Sequence, residues 1–169
     1  KPDLWFWSGD YDEGVTDPTA YERALAEYET ARGEASSMGF RSIEAHAWRM
    51  AADVHTRQEK FALALHEADS AIAVAKTTVD VVEQAEGHRE RGWALRGMRR
   101  YSEARMAFLE SAAALRRAGG FSSAFCDTFR RALLVGQAEG VTLSDQSLDT
   151  VAALFDESYR PEQGPRLRQ

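Results

Sequence analysis

Four histidines and one cysteine are the side chains best suited to hold a metal or attack a carbonyl, and their arrangement in this chain does neither. His46, His55, His66 and His88 do not stand at a metal-ligand spacing from one another. No HExxH occurs, since His66-Glu67 lacks the second histidine. Each therefore reads as a helix-surface or packing histidine. Cys126 is flanked by the apolar segment from Phe125 to Phe129, the setting of a buried inert thiol and not of an activated nucleophile. Gly119-Gly120 lacks the Lys and Ser/Thr that follow a phosphate-cradling loop. Nothing here calls for a catalyst, so we expect a non-enzymatic protein with no cofactor and no metal.

Arginine is the remaining chemistry-bearing residue type. Acidic residues outnumber basic ones from Asp3 to Glu34, whereas arginines dominate from Arg89 to Arg117, including the pairs Arg99-Arg100 and Arg116-Arg117. Such a charge asymmetry suits head-to-tail association or an acidic partner; the alternative is a solvated surface, which we favour for Arg99-Arg100. The formal net charge of -6 opposes nucleic acid and anionic membrane as non-specific partners, because phosphate affinity needs surplus cations. No apolar run reaches the roughly 18 to 20 residues of a membrane span. A single cysteine cannot form an intrachain disulfide, so the expected compartment is the cytoplasm.

These side chains must be positioned by helices. The 169 residues are 44% hydrophobic and 28% charged, an ordinary globular balance that excludes disordered and disulfide-scaffold classes. The prolines stand at Pro2, Pro18, Pro161 and Pro165, so residues 19–160 contain no obligatory helix breaker. That interior is rich in Ala, Leu, Glu and Arg, and its apolar residues fall at helical spacing, as in Phe61, Ala64, Leu65, Ala68, Ala71 and Ile72. We expect an all-α chain of seven helices, near residues 18–38, 41–57, 60–77, 79–98, 102–118, 121–138 and 144–160. Asp17 before Pro18 is a start signal, Gly119-Gly120 and Gly140 are stop signals, and Pro161 ends the last helix. Residues 161–169 read as a disordered tail.

The chain matches itself at a shift of 40. Tyr21, Ala24, Tyr28 and Ala31 recur as Phe61, Ala64, Ala68 and Ala71, and again as Tyr101, Ala104, Phe108 and Ser111. Ala52, Gly92 and Ala132 form a second series of small residues at the same period. Small side chains let a neighbouring helix backbone approach closely while the aromatic fills the wedge, so Ala52, Gly92 and Ala132 mark the expected helix crossings.

In this pattern the sequence resembles the tetratricopeptide repeat family, whose unit is two antiparallel helices with a small residue in the first and an aromatic, Ala, aromatic, Ala series in the second. Trp48, Ala52, Phe61, Ala64 and Ala71 match one unit; Gly92, Tyr101, Ala104, Phe108 and Ser111 match the next. The resemblance covers residues 20–120 well and the stretch to 160 loosely. A period of 40 exceeds the family's usual 34. The family's Leu is here Ala51 and Arg91, its turn Gly is replaced by Glu59 and Arg99, and its terminal Pro is missing.

The resemblance implies a right-handed solenoid of about seven antiparallel helices over residues 18–160, whose first helices line a concave groove. Its groove positions fall on His46, Arg49, Asp53, Thr56 and Arg57, then on Glu86, Arg89, Trp93 and Arg96, then on Cys126, Phe129, Leu133 and Gln137. Arg49, Arg89 and Phe129 would form a ladder. Guanidiniums beside an indole suit a carboxylate or an acidic peptide, unless those arginines pair with Glu86, Glu90 or Asp53 instead. The chain contains no Asn, so the Asn-dependent clamp of some family members is not expected.

Residues 1–17 form an aromatic and acidic segment in which Trp5, Phe6 and Trp7 either cap the open end of the stack or present a docking patch. A third possibility is that the chain is a fragment of a longer solenoid. The expected function is a scaffold or adaptor for a protein or peptide, regulatory or secretion-related by analogy with bacterial repeat proteins. The alternatives are a self-associating oligomer and a small-ligand or peptide sensor.

Overall fold

A computed structural model describes residues 18–119 and 123–138 of the chain. The expected helix at 144–160, the tail at 161–169, the segment 1–17 and the start signal at Asp17 lie outside the described residues. Six helices occupy the described part: α1 Pro18–Met38, α2 Arg41–Arg57, α3 Phe61–Ala75, α4 Val81–Gly97, α5 Tyr101–Gly119 and α6 Ser123–Ala138. Among the described residues there is no strand, and no helix is long and apolar enough to cross a membrane.

Three of the connections are one structure. After α1, α2 and α4 the chain closes the helix end with paired backbone bonds. Phe40 N–H donates to Ala35 C=O at 2.8 Å, Lys60 to His55 at 2.9 Å and Arg100 to Leu95 at 2.9 Å. A second bond spanning three residues accompanies each, from Gly39 to Ser36, Glu59 to Thr56 and Arg99 to Arg96. This closure requires a left-handed residue, normally glycine. Gly39 supplies it with φ 77°, but at the other two turns Glu59 and Arg99 are held at φ 59° and 61°. These two turns thus take the left-handed backbone of Gly39 without a glycine.

The connection between α3 and α4 differs. Thr77 and Thr78 hydroxyls donate to the carbonyls of Val74 and Ala75, and this ends α3 at Ala75, two residues before the expected 77. Asp80 then caps α4, its carboxylate accepting from Glu83 N–H at 3.1 Å, so α4 begins at Val81 and not at 79.

Each helix packs on its neighbours in sequence, and α2 also touches α4. Contacts between α3 and α4 pair Ile72 with Gly87 and Phe61 with Gly97, so these helices run antiparallel. Gly92 against Phe108 and His88 against Glu110 give the same sense for α4 and α5. The core is built mainly of small residues. Ala52, Ala64, Ala68, Ala104 and Ala132 are fully buried, with Leu95 and Phe108 the largest buried apolar side chains. The expected crossing points are buried: a Cβ on Gly92 would stand 2.7 Å from the Phe108 ring, well inside contact distance. Burying alanines by close backbone approach explains why the repeat is carried by small residues.

Candidate functional site

The face shared by α2 and α4 contains most of the groove positions implied by the resemblance. Contacts across it join His46 and Arg49 of α2 to Glu83 of α4, 37 and 34 residues apart. Asp53 acts on Glu90 at the same offset of 37. Offsets that hold nearly constant along both helices mean that α2 and α4 run parallel. Antiparallel connection through α3 makes this arrangement possible.

Glu83 is the hub of the N-terminal half. Its carboxylate accepts from Arg49 Nε at 3.2 Å and lies 3.0 Å from His46 Nδ1, which in turn is 3.1 Å from Arg49 Nη2. Further along, Arg57 Nε donates to Asp53 at 3.0 Å, one turn away on α2. Arg89 spans two carboxylates of its own helix, reaching Glu86 at 2.6 Å and Glu90 at 3.2 Å. The arginines Arg49, Arg57 and Arg89 are therefore each engaged by carboxylates of this chain; Asp53, Glu86 and Glu90 are acids the alternative reading of the sequence named, whereas Glu83 on Arg49 is not. Thr56 is buried, its hydroxyl without a hydrogen bond among the described residues.

Glu90 is the unusual group. It is 3% exposed, and burial pushes its carboxyl up to about 7, with Asp53 adding to the rise while Arg89 and Arg49 oppose it. A carboxylate loses most of its hydration at such a site, and one guanidinium shared with Glu86 restores only part of it.

Trp93 forms the other half of the face. Its ring packs edge-on against Phe108 at 5.2 Å and 79°, beside the cluster of Leu95, Ala104, Ala107, Ala132 and Val135. The guanidinium of Arg96 lies 5.6 Å from the indole centroid and that of Arg131, from α6, lies 4.7 Å away. Two cations on one indole form a positive, flat and partly apolar surface. Phe129 does not join Trp93: it packs with Val81 on the separate cluster of Ala85, Ala112, Ala114 and Leu115. Leu133 is half-buried on α6, whereas the side chains of Cys126 and Gln137 lie outside the described residues. Trp5, Phe6 and Trp7 also lie outside.

The remaining histidines serve separate helix contacts. His55 Nδ1 is 2.6 Å from Glu67 on α3, and His66 meets Trp48 edge-on at 6.3 Å with Arg32 stacked 3.9 Å over the same indole. His88 Nδ1 is 2.9 Å from Glu110 of α5 without hydrogen-bond alignment, and burial lowers its pKa against the pull of that carboxylate. Among the described residues no group of three or more His, Cys, Asp or Glu side chains could hold a metal ion.

Glu83 and Arg131 escape the sequence reading. Glu83 could have been found as the third residue after the capping Asp80, but its partner Arg49 follows only from the parallel register of α2 and α4. Arg131 repeats Arg91 at the period of 40, but the period gives no sign that its guanidinium reaches Trp93 of α4. In comparison with known proteins, no family model matches the chain and no curated protein or solved structure matches it significantly.

Proposed function

We propose that this chain is a tetratricopeptide-like adaptor, a right-handed solenoid of about seven antiparallel helices that binds a protein segment along the face formed by its first helices, without catalysis and in the cytoplasm. The observation that carries the reading is the parallel pairing of α2 and α4, which sets Arg49, Asp53, Arg57, Arg89, Trp93 and Arg96 on adjoining helices. Arg96 and Arg131 against Trp93 favour a segment with an acidic group next to an apolar one. Arg89 meets such a ligand only by exchanging Glu86 or Glu90 for a ligand carboxylate. Arg49, Arg57 and Arg89 are thus compensated by carboxylates of this chain until a competing carboxylate arrives.

The test is affinity capture from lysate by the native chain and by an Arg96→Ala/Arg131→Ala variant whose helicity is checked by circular dichroism. A specific partner retained by the native chain and released by the variant supports this face. Equal retention removes it.

Self-association is the second reading, favoured by one edge of the molecule. Because α2 and α4 run parallel, the exposed Phe40 and Ile43 at the start of α2 lie at the same edge as the exposed Val79 and Val82 at the start of α4. Molar mass that rises with concentration and falls when Phe40 and Val79 are replaced by Ser would favour this reading.

A further inference from the structure

Arg89 serves two carboxylates with one guanidinium. Its Nη2 lies 2.6 Å from Glu86 and 3.2 Å from Glu90, and its Nε reaches Glu90 at 3.4 Å. Arg89 and Glu86 are partly open to solvent, whereas Glu90 is buried. The cations of α2 on this face are engaged elsewhere, Arg49 by Glu83 at 3.2 Å and Arg57 by Asp53 at 3.0 Å. Across the helix pair, Asp53 opposes ionisation of Glu90 and Arg49 favours it less strongly. An ionised Glu90 therefore depends chiefly on Arg89.

The other helices packed on α4 direct their charges to other partners. α3 crosses α4 with Phe61 on Gly97 and Ile72 on Gly87, which brings the buried Ala68 to the level of Glu90. The α3 acids Glu67 and Asp69 pair with His55 and Arg91, and Lys76 acts on His88. On α5, Glu110 stands against His88 and Glu103 pairs with Arg100. The groups that face Glu90 are thus Glu86 and Arg89 of its own helix and Arg49 and Asp53 of α2.

We propose that the face between α2 and α4 is gated by a proton: with Glu90 protonated, Arg89 is released to a ligand carboxylate, and with Glu90 ionised, Arg89 is retained within α4. This gate rests on the reading of the face as a site for an acidic segment, and it sets when that site is open. Burial holds the Glu90 carboxyl up at about 7, so both states are populated near neutral pH. A ligand carboxylate that takes Arg89 removes the main compensation of Glu90 and adds a negative charge beside it. Binding to the ionised state therefore draws in a proton. Peptide carboxylates stay ionised from pH 6 to pH 8, so the ligand's own charge is constant there. Acceptance by the protonated form alone lowers the competent fraction from about nine-tenths at pH 6 to about one-tenth at pH 8, and affinity falls about tenfold.

The test is calorimetric titration of the full chain with a blocked synthetic peptide, acetyl-Glu-Leu-Glu-Phe-Glu-amide, at pH 6 and pH 8 and constant ionic strength. The native chain is expected to bind about tenfold more tightly at pH 6. Glu90→Gln should bind equally at both pH values, whereas His46→Gln, which alters the histidine on Glu83 of the same face, should keep the native dependence. Equal native affinity at pH 6 and pH 8 overturns the gate and leaves the acidic-segment reading standing. A dependence that survives Glu90→Gln, or that disappears with His46→Gln, also overturns it. No binding at either pH removes the acidic-segment reading and the gate with it. Should Glu90→Gln lose its fold, carbon NMR of the native chain decides: the Arg89 guanidinium resonance is expected to shift with a midpoint near pH 7, and a resonance constant from pH 5 to pH 8 overturns the proposal.

Discussion

The hairpin of α2 and α3 and the hairpin of α4 and α5 make the same turn and fill it differently. Both close with the same pair of backbone bonds around a left-handed residue, Glu59 in one and Arg99 in the other, and both enter the second helix on an aromatic, Phe61 or Tyr101. At the crossing they diverge. The first hairpin buries Ala52 and, at the partner position of the repeat, Ala68; the second buries Gly92 and Phe108. The Phe108 ring occupies the space that a side chain at position 92 would need, and Trp93 packs on its edge. The repeat therefore conserves closeness of approach between helices rather than a fixed pair of side chains. It also gives α4 a ring pair at the crossing, Trp93 on Phe108, where α2 has Asp53 one period earlier, and this is where Arg96 and Arg131 gather.

The largest effect is expected where the hairpins differ most. Phe108 is fully buried, and Phe108→Ala should cost about 3 to 5 kcal/mol by chemical denaturation, because the cavity beside Gly92 cannot close fully. A cost below about 1 kcal/mol would mean that the ring is not wedged between α4 and α5.

Glu90 distinguishes α4 from α2 electrostatically, since Met50 stands one period earlier. Its carboxyl has an ordinary value of 4.5 and is raised to about 7 in the fold. Below pH 4.5 both folded and unfolded chains hold the proton and no penalty arises. As pH climbs from 4.5 to 7 the unfolded chain ionises first, so stability is lost across that window, by an amount on the order of 3 kcal/mol. Glu90→Gln should remove this slope and be the more stable protein at pH 8, as read from denaturation midpoints at pH 5 and pH 8. A native chain as stable at pH 8 as at pH 5, and a variant with the same profile, would contradict this.

The shared turn sharpens the comparison at smaller scale. Glu59→Gly and Arg99→Gly should each raise stability by up to about 1 kcal/mol, since glycine adopts φ near 60° without a Cβ clash. Arg99→Gly is expected to gain slightly less if its side chain makes contacts that glycine forfeits. Thermal melts of the two single variants and the double variant would show the gains adding, because the turns are independent. Loss of stability in either would mean that the left-handed geometry is not what limits the turn.

Much of this architecture was legible in the sequence because it rests on local signals. The bounds of α1 and α2 match the expected 18–38 and 41–57, where glycine, small residues and helical spacing agree. α3 and α4 are shorter than expected at their shared connection, because Thr77, Thr78 and Asp80 satisfy backbone groups with side chains, a competition that hydrophobic period does not register. The small residues Ala52, Gly92 and Ala132 were readable as crossings since only close approach explains a period in small residues. The charged face was less legible. Arg57 with Asp53, and Arg89 with Glu86, are one turn apart and visible as helix pairs. Arg49 with Glu83 depends on the register of two helices that are not neighbours in sequence, and the burial of Glu90 depends on the same packing.

The most direct test of the claim that α4 and α5 meet by close approach at the repeat crossing is a double-mutant cycle of Gly92→Ala and Phe108→Ala, measured by equilibrium denaturation. With Phe108 present, the added methyl collides with the ring and should destabilise by about 1 to 2 kcal/mol despite alanine's better helix propensity. With Phe108→Ala in place, the same methyl fills part of the cavity and restores the alanine pair of the first hairpin, so Gly92→Ala should now stabilise by about 1 kcal/mol. That reversal of sign is the predicted result; an equal effect of Gly92→Ala in both backgrounds would contradict the account.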